Sequence, residues 1–291
     1  MDYRESIDWL FSTQLFGIKL GLDGPRRFLR EALAYPAHGV TVIQVAGTNG
    51  KGSTCAMIDA ISRACGRRTG LFTSPHLVDF RERVRVSGVE MPEEAVAERL
   101  TALRGLCERL EPHPTFFEIT LVLAMQWFRR TECEVIVLET GMGGRFDATT
   151  AVPADVSVIT PVGMDHMQHL GDTVEKIAME KAGIFRVGKP AVSAPQEAGV
   201  RRVLEMEANQ VRAPLEFVDA PLLGYPLALR GAHQRWNAAL AVAALRLAGV
   251  GIRFDSLQYG LQTVRWPGRF EVFAAGSVPG VRGVVVLDGA R

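Results

Sequence analysis

The sequence predicts an α/β protein with a phosphate-binding loop, built as a mostly parallel sheet with helices on both faces. Three observations predict it. Strand-like and helix-like segments alternate along most of the 291 residues. The strand candidates are short and apolar, and βα alternation of such strands implies a parallel sheet covered on both sides. The stretch VIQVAGTNGKGST, 42–54, reads as a strand entering a glycine-rich turn that opens a helix.

The elements follow in order. The first strand is 40–46 (VTVIQVA), and Thr54–Ala64 beyond the loop is amphipathic. A short apolar run, GLF, occupies 70–72. In 92–111, Pro92 and two glutamates open a helix whose Val96, Leu100, Leu103, Cys107 and Leu110 recur at spacings of four and three. Segment 115–130 (TFFEITLVLAMQWFRR) is apolar around most of its circumference, which predicts a buried helix. Strands are expected at 134–139 (EVIVLE) and 156–160 (VSVIT), then a short helix carrying Lys181 and ending at Gly183. Strands 190–194 (PAVSA) and 215–218 (LEFV) precede an alanine-rich helix, 233–248, stopped by Gly249. VVVL, 284–287, is the last strand candidate.

Composition narrows the function classes. A net charge of +1, from 33 basic and 32 acidic residues, gives no basic excess of the kind a nucleic-acid or membrane surface requires. Cys55, Cys65, Cys107 and Cys133 are scattered without metal-like spacing, so reduced thiols are expected. MDYRESIDWL lacks the features of a signal peptide, and no apolar window approaches the length of a spanning helix. A soluble, cytoplasmic, monomeric protein is the expectation.

Ligands of parallel sheets sit at the carboxyl ends of the strands, and four motifs there carry chemistry. In Gly47-Thr48-Asn49-Gly50-Lys51-Gly52-Ser53, backbone amides can converge on a phosphate, the helix adds its positive end, and Lys51 adds a point charge. The common phosphate loop places a hydroxyl directly after the lysine, where Gly52 stands here. A turn that merely joins strand to helix is the competing reading. Thr73–Leu77 (TSPHL) follows GLF and is weak alone. In VIVLETGMGGR, 135–145, Glu139 ends a strand as the magnesium-binding acid of nucleotide enzymes does, and Gly141, Gly143 and Gly144 leave room for a ligand. In 158–171, Asp165 and His166 follow a strand, although magnesium prefers oxygen and a structural histidine is the default. His169 is read as structural, and Lys181 taken alone as a solvated lysine. Together the motifs point to an ATP–magnesium enzyme of open reaction class.

The set as a whole resembles the folylpolyglutamate synthase/dihydrofolate synthase family of the Mur ligase superfamily. The resemblance runs through FGIKLGL (16–22), AGTNGKGS (46–53), TSPHL (73–77), ERVRVSG (82–88), FFEIT (116–120), LETGMGGRFDAT (138–149), GMDHMQHLG (163–171), EKAGIF (180–185), HQRWNAA (233–239) and WPGRFEV (266–272). It implies a Mur ligase central-domain fold. It implies that Lys51 and the loop from Gly47 to Ser53 bind ATP phosphates, and that Ser74, Glu139 and His166 hold Mg2+. It also implies a carbamylated Lys181 acting as a metal ligand, Asn237 facing adenine, and Arg269 reaching the phosphates from a linker. Catalysis would rest on Lys51, Lys181 and His166. The implied chemistry is ATP-driven amide formation: a dihydropteroate or folate carboxylate becomes an acyl phosphate, which the amine of L-glutamate displaces. Phe80 and Phe117 are candidate surfaces for the pterin.

Gln44, Thr140, Phe146 and Thr150 depart from the residues usual in the family, and only Thr150 is expected to affect ligand preference. The resemblance divides the chain into an ATP-binding domain, 1–268, and a linker with the first strand of a glutamate-binding domain, 269–291. That domain is otherwise absent, Arg291 stands where the family has histidine, and the chain alone is expected to be weakly active. Two other readings remain: a phosphate-loop ATPase or kinase, and a non-catalytic ATP-binding fragment.

Overall fold

The computed structural model describes residues 1–17, 19, 21–279 and 281–289. Ile18 and Leu20 of the FGIKLGL segment, and Arg291, lie outside the described residues.

The strands are β1 (Thr41–Ala46), β2 (Thr69–Phe72), β3 (Val84–Val86), β4 (Val89–Glu90), β5 (Val135–Glu139), β6 (Val156–Ile159), β7 (Ala191–Ser193), β8 (Leu215–Phe217), β9 (Glu271–Phe273) and β10 (Val285–Leu287). Eight of them form one sheet in the order β4-β3-β2-β5-β1-β6-β7-β8. From β2 to β8 every pairing is parallel. β3 and β4 add an antiparallel edge, which the sequence does not announce because Arg85 and Glu90 interrupt any apolar run there.

The helices are α1 (Tyr3–Ser12), α2 (Asp23–Glu31), α3 (Lys51–Ala64), α4 (Glu93–Cys107), α5 (Phe116–Arg130), α6 (Met167–Leu170), α7 (Val174–Ala182), α8 (Ala198–Gln210), α9 (His233–Leu247) and α10 (Phe254–Thr263). Alternate residues of each strand feed opposite faces. Ile43, Val45, Val135, Val137, Val156 and Val158 join a core with Met57, Ile58 and Ile61 of α3, Leu240 and Leu245 of α9, and Leu257 and Leu261 of α10. Val42, Ile136 and Leu138 join the opposite core with Leu10, Phe28, Leu100 and Phe128. A third cluster packs α7 and α8 over β6 and β7 through Ile159, Ala178, Ile184, Val200 and Leu204. The α/β class with helices on both faces is therefore as the sequence predicts.

Two boundaries differ. The helix expected over 92–111 ends at Cys107, because the chain turns ahead of Pro112, whose ring disfavours helix in the residue before it. Leu110 still reaches the core, 4% exposed, from that turn. VVVL does not extend the main sheet: among the described residues β10 pairs only with β9, antiparallel, in a separate ribbon. All four cysteines are free thiols, and Cys55, Cys107 and Cys133 are buried. Among the described residues no helix is long and apolar enough to cross a membrane.

Candidate functional site

The loops after β1, β2, β5 and β6 meet at one edge of the sheet, because these strands are parallel neighbours. The loop after β1 is shaped by what surrounds it. A Cβ on Gly47 would lie 1.9 Å from Oγ1 of Thr160, and its φ of +146° also favours glycine. The amides of Thr48 and Asn49 donate to the Pro161 carbonyl at 3.0 and 3.3 Å. The amides that open α3 have no acceptor within the helix, and the first intrahelical bond runs from Thr54 N to Gly50 O at 2.9 Å. The amides of Gly50 to Ser53 are thus left open at the start of α3, while Thr48 and Asn49 brace the loop against the turn after β6.

Gly52, the departure from the common loop, has a steric cause. A Cβ there would lie 2.9 Å from the indole of Trp266. Trp266 of WPGRFEV packs on the first turn of α3 and needs a bare backbone beneath it. Arg85 in turn lies over the Trp266 ring, 6.0 Å from its centroid.

Two lysines converge on one carbonyl. Lys51 Nζ donates to Gly47 O at 3.1 Å and to Thr48 O at 3.2 Å. Lys181 Nζ, from α7, donates to Gly47 O at 2.8 Å. The expectation of a solvated Lys181 is overturned: it is 2% exposed, because α7 packs into the third core and its last turn faces the loop. Burial, and then the charge of Lys51, pull its amine down to about 7.

Glu139 ends β5 and is 5% exposed. It accepts a hydrogen bond from the Ser74 amide at 3.2 Å, so the structure brings these two together. Burial pushes its carboxyl up to about 7, against the charges of Lys51, Arg269 and Arg83 and the Ser74 amide. A buried carboxylate held by a single N–H is a site that a cation fits, since the ion would supply the charge compensation the protein lacks. His166 is exposed at the start of α6, with φ +48°, and its Nε2 lies 3.5 Å from Asp165 Oδ1. Among the described residues no three His, Cys, Asp or Glu side chains gather in metal-binding geometry. His169 is exposed, as its structural reading allows.

Asn237 is buried behind the loop rather than open to solvent. Its Oδ1 would be 2.7 Å from a Cβ on Gly50, and its Nδ2 donates to Gln234 Oε1 at 3.0 Å. Gln234 Nε2 donates to Ser53 Oγ at 3.3 Å. Ser53 and Asn237 are therefore tied through Gln234, a link that HQRWNAA did not reveal. Arg269 donates from Nη1 to Gly289 O at 2.8 Å, within electrostatic reach of Glu139.

The aromatic expectations divide. Phe80 is 4% exposed and belongs to the core, so it offers no stacking face. Phe117 packs against Gly141, where a Cβ would meet its ring at 2.7 Å. Three of the four departures prove to be buried framework. Gln44 Nε2 donates to Thr149 Oγ1 at 3.0 Å and Thr150 Oγ1 at 2.7 Å, and Thr150 Oγ1 donates to Gly144 O at 2.7 Å. Thr150 is 3% exposed and shapes the glycine turn from within. Thr140 is buried with its hydroxyl unpaired, and Phe146 is exposed. A cavity of about 620 Å³ lies at the opposite end of the sheet, beside the starts of β1 and β5, and contains none of these residues.

Residues 45–194 match the Mur ligase middle domain family. A probable bifunctional folylpolyglutamate synthase/dihydropteroate synthase of Haloferax volcanii is 38% identical over all of this chain, which spans 37% of that protein. The dihydrofolate synthase/folylpolyglutamate synthase of Bacillus subtilis is 34% identical over 93% of this chain and 70% of its own length. Among solved structures, E. coli FolC in complex with DHPP and ADP superposes with a TM-score of 0.85 at 34% identity, covering 98% of this chain and 70% of that one.

Proposed function

The chain belongs to the dihydrofolate synthase/folylpolyglutamate synthase family of Mur ligases, and from that footing we propose that it supplies the ATP-binding part of a folate–glutamate ligase. The reaction joins L-glutamate to dihydropteroate, to a folate, or to both. One observation carries the reading: Lys51 Nζ, Lys181 Nζ and the buried Glu139 surround a glycine-rich loop whose free amides open a helix. That arrangement suits a triphosphate and a nearby acid, and the ADP held by the E. coli relative supports it.

In the proposed reaction the acceptor carboxylate oxygen attacks the γ-phosphorus and ADP departs, leaving an acyl phosphate. The amine of glutamate then attacks the acyl carbon, an amide forms, and phosphate leaves as the nitrogen loses its proton. Two anions must meet, so positive charge decides the rate. Lys51 gives up its loop carbonyls for phosphate oxygens, and the amides of Gly50 to Ser53 hold the same group. Ser74, Glu139 and His166 would hold Mg2+, which when bound would offset charge on the transferred phosphoryl group. Lys181 is suited to carbamylation, because an amine brought down to about 7 is partly unprotonated at neutral pH, the form that adds CO2. Asn237 is proposed beside adenine and Arg269 at the phosphates. Residues 1–268 form the ATP-binding domain, and 269–291 lead as linker and first strand into a glutamate-binding domain. The separate β9–β10 ribbon is consistent with that division. A soluble cytoplasmic monomer acting on small molecules completes the proposal.

The test is ADP release by protein carrying these residues together with the C-terminal domain. Dihydropteroate plus glutamate should stimulate release, and Lys51→Ala should abolish it. Turnover indifferent to both substrates, or near-normal turnover in the variant, refutes the reading.

A further inference from the structure

Arg83 is the single arginine among the buried polar and charged residues described, 8% exposed. Its position is fixed twice. It ends the short helical turn Phe80–Arg83 that leads into β3, and its carbonyl accepts the Thr73 amide at 3.1 Å. The guanidinium lies 5.4 Å from the Phe116 ring centroid, at the start of α5. Its Nε donates to His76 Nδ1 at 2.7 Å. Since Nδ1 accepts, His76 is the neutral tautomer protonated at Nε2 and brings no negative charge.

A buried guanidinium needs paired charge and several hydrogen bonds to offset its lost hydration. Neighbouring arginines have them: Arg81 pairs with Asp79 at 2.8 Å and Arg85 with Glu90 at 3.2 Å. Arg83 forms no such ion pair among the described residues. The acids that act on it, Glu139 and Glu82, do so only through space, and burial brings its guanidinium down to about 10. Glu82 spends its carboxylate on the amides of Leu77, Val78 and Asp79, each at 2.8 Å. Among the described residues neither terminal nitrogen of Arg83 has a protein acceptor, so a two-pronged donor is held ready. It sits in a largely aromatic frame. Phe11 meets the ring of Phe116 at 5.2 Å and that of His76 at 6.2 Å, and Phe80 meets His76 edge-on at 6.2 Å.

We propose that Arg83, steadied by His76, binds the carboxylate of the acceptor acid, with Phe11 and Phe116 flanking the aryl ring that bears it. The assignment rests on the folate–glutamate ligase reading and adds the group that holds the reacting acid. The fork of a guanidinium matches a carboxylate with two parallel hydrogen bonds. Arg83 lies close enough to Glu139 to act on its charge, as Lys51 does from the phosphate loop. The same cleft can therefore hold the acceptor carboxylate near the terminal phosphate. Phe80, buried, positions His76 and touches no ligand.

The test compares pteroate with its uncharged carboxamide by isothermal titration, with the chain saturated by the ATP analogue AMPPCP. Native protein should prefer pteroate at least ~10-fold, the range that hydrogen bonds to a charged group carry. Arg83→Gln should erase the preference and leave AMPPCP affinity unchanged. His76→Ala should weaken pteroate by a smaller factor. If Arg83→Gln fails to fold, Arg83→Lys keeps the charge and removes the fork, and a loss of ~10-fold for pteroate is then expected. A preference that survives substitution, or binding without preference in the native protein, overturns the role of Arg83 alone. Failure of both pteroate and carboxamide to bind while AMPPCP does sinks the folate reading together with this assignment.

Discussion

Replacing Glu139 by glutamine removes a charge while keeping the shape, and the structure sets the size of the effect. The carboxyl rises from 4.5 to about 7 on folding, chiefly through burial. Between those values the native state retains a proton that the unfolded chain has released, so stability falls as pH rises through the interval. Above about 7 both states are ionised and the full penalty remains. A rise of 2.5, read from the same two values, corresponds to about 3 kcal/mol at 1.36 kcal/mol per unit. Glu139→Gln should therefore stabilise the chain by up to about 3 kcal/mol at pH 8 and by little at pH 4. Urea unfolding in chelator at both pH values measures the difference. A variant no more stable than the native chain at pH 8, or a gain that persists unchanged to pH 4, would show that Glu139 is not carried as a strained acid. The same variant should lose ligation, so stability and activity move in opposite directions.

Two further perturbations probe the loop. Gly52→Ser places a Cβ about 2.9 Å from the Trp266 indole, so it should cost ~1–3 kcal/mol by overcrowding. A second change, Trp266→Leu, should recover part of that loss in a denaturation double-mutant cycle, and strict additivity would refute the contact. Lys181→Met should abolish ligation and raise stability at neutral pH. Its amine goes from 10.5 unfolded to about 7 folded, so the burial penalty is complete below 7 and fades as pH rises to 10.5. A methionine variant less stable than native at pH 7 would refute the penalty. Labelled CO2 should give a carbamate resonance in the native protein that this variant lacks.

Much of the fold was legible because its strands are short, apolar and separated by helices of clear period. The placing of the loops after β1, β5 and β6 at one sheet edge followed from those strands being parallel neighbours. What stayed hidden depended on packing between distant segments. Lys181 reads as an ordinary helix lysine until α7 is seen resting against the loop. Gly52 reads as a defect until Trp266, 214 positions later by residue number, is found on top of it. Arg83 lies in the ERVRVSG stretch, whose sequence does not show that the turn before β3 carries this arginine inward. Gln44 and Thr150, 106 residues apart, are hydrogen-bonded to each other, which neither position shows by itself.

The carbonyl of Gly47 reaches Lys181 across 134 residues, and Ser53 reaches Gln234 across 181. Contacts of such separation form late in folding, because the chain between them must be ordered first. A nascent chain that has emerged as far as β5 has the phosphate loop and its lysine but neither brace. The loop therefore gains its final shape only when α7 and α9 have docked. Synthesis thus leaves the glycine-rich loop unbraced until most of residues 1–268 have been made.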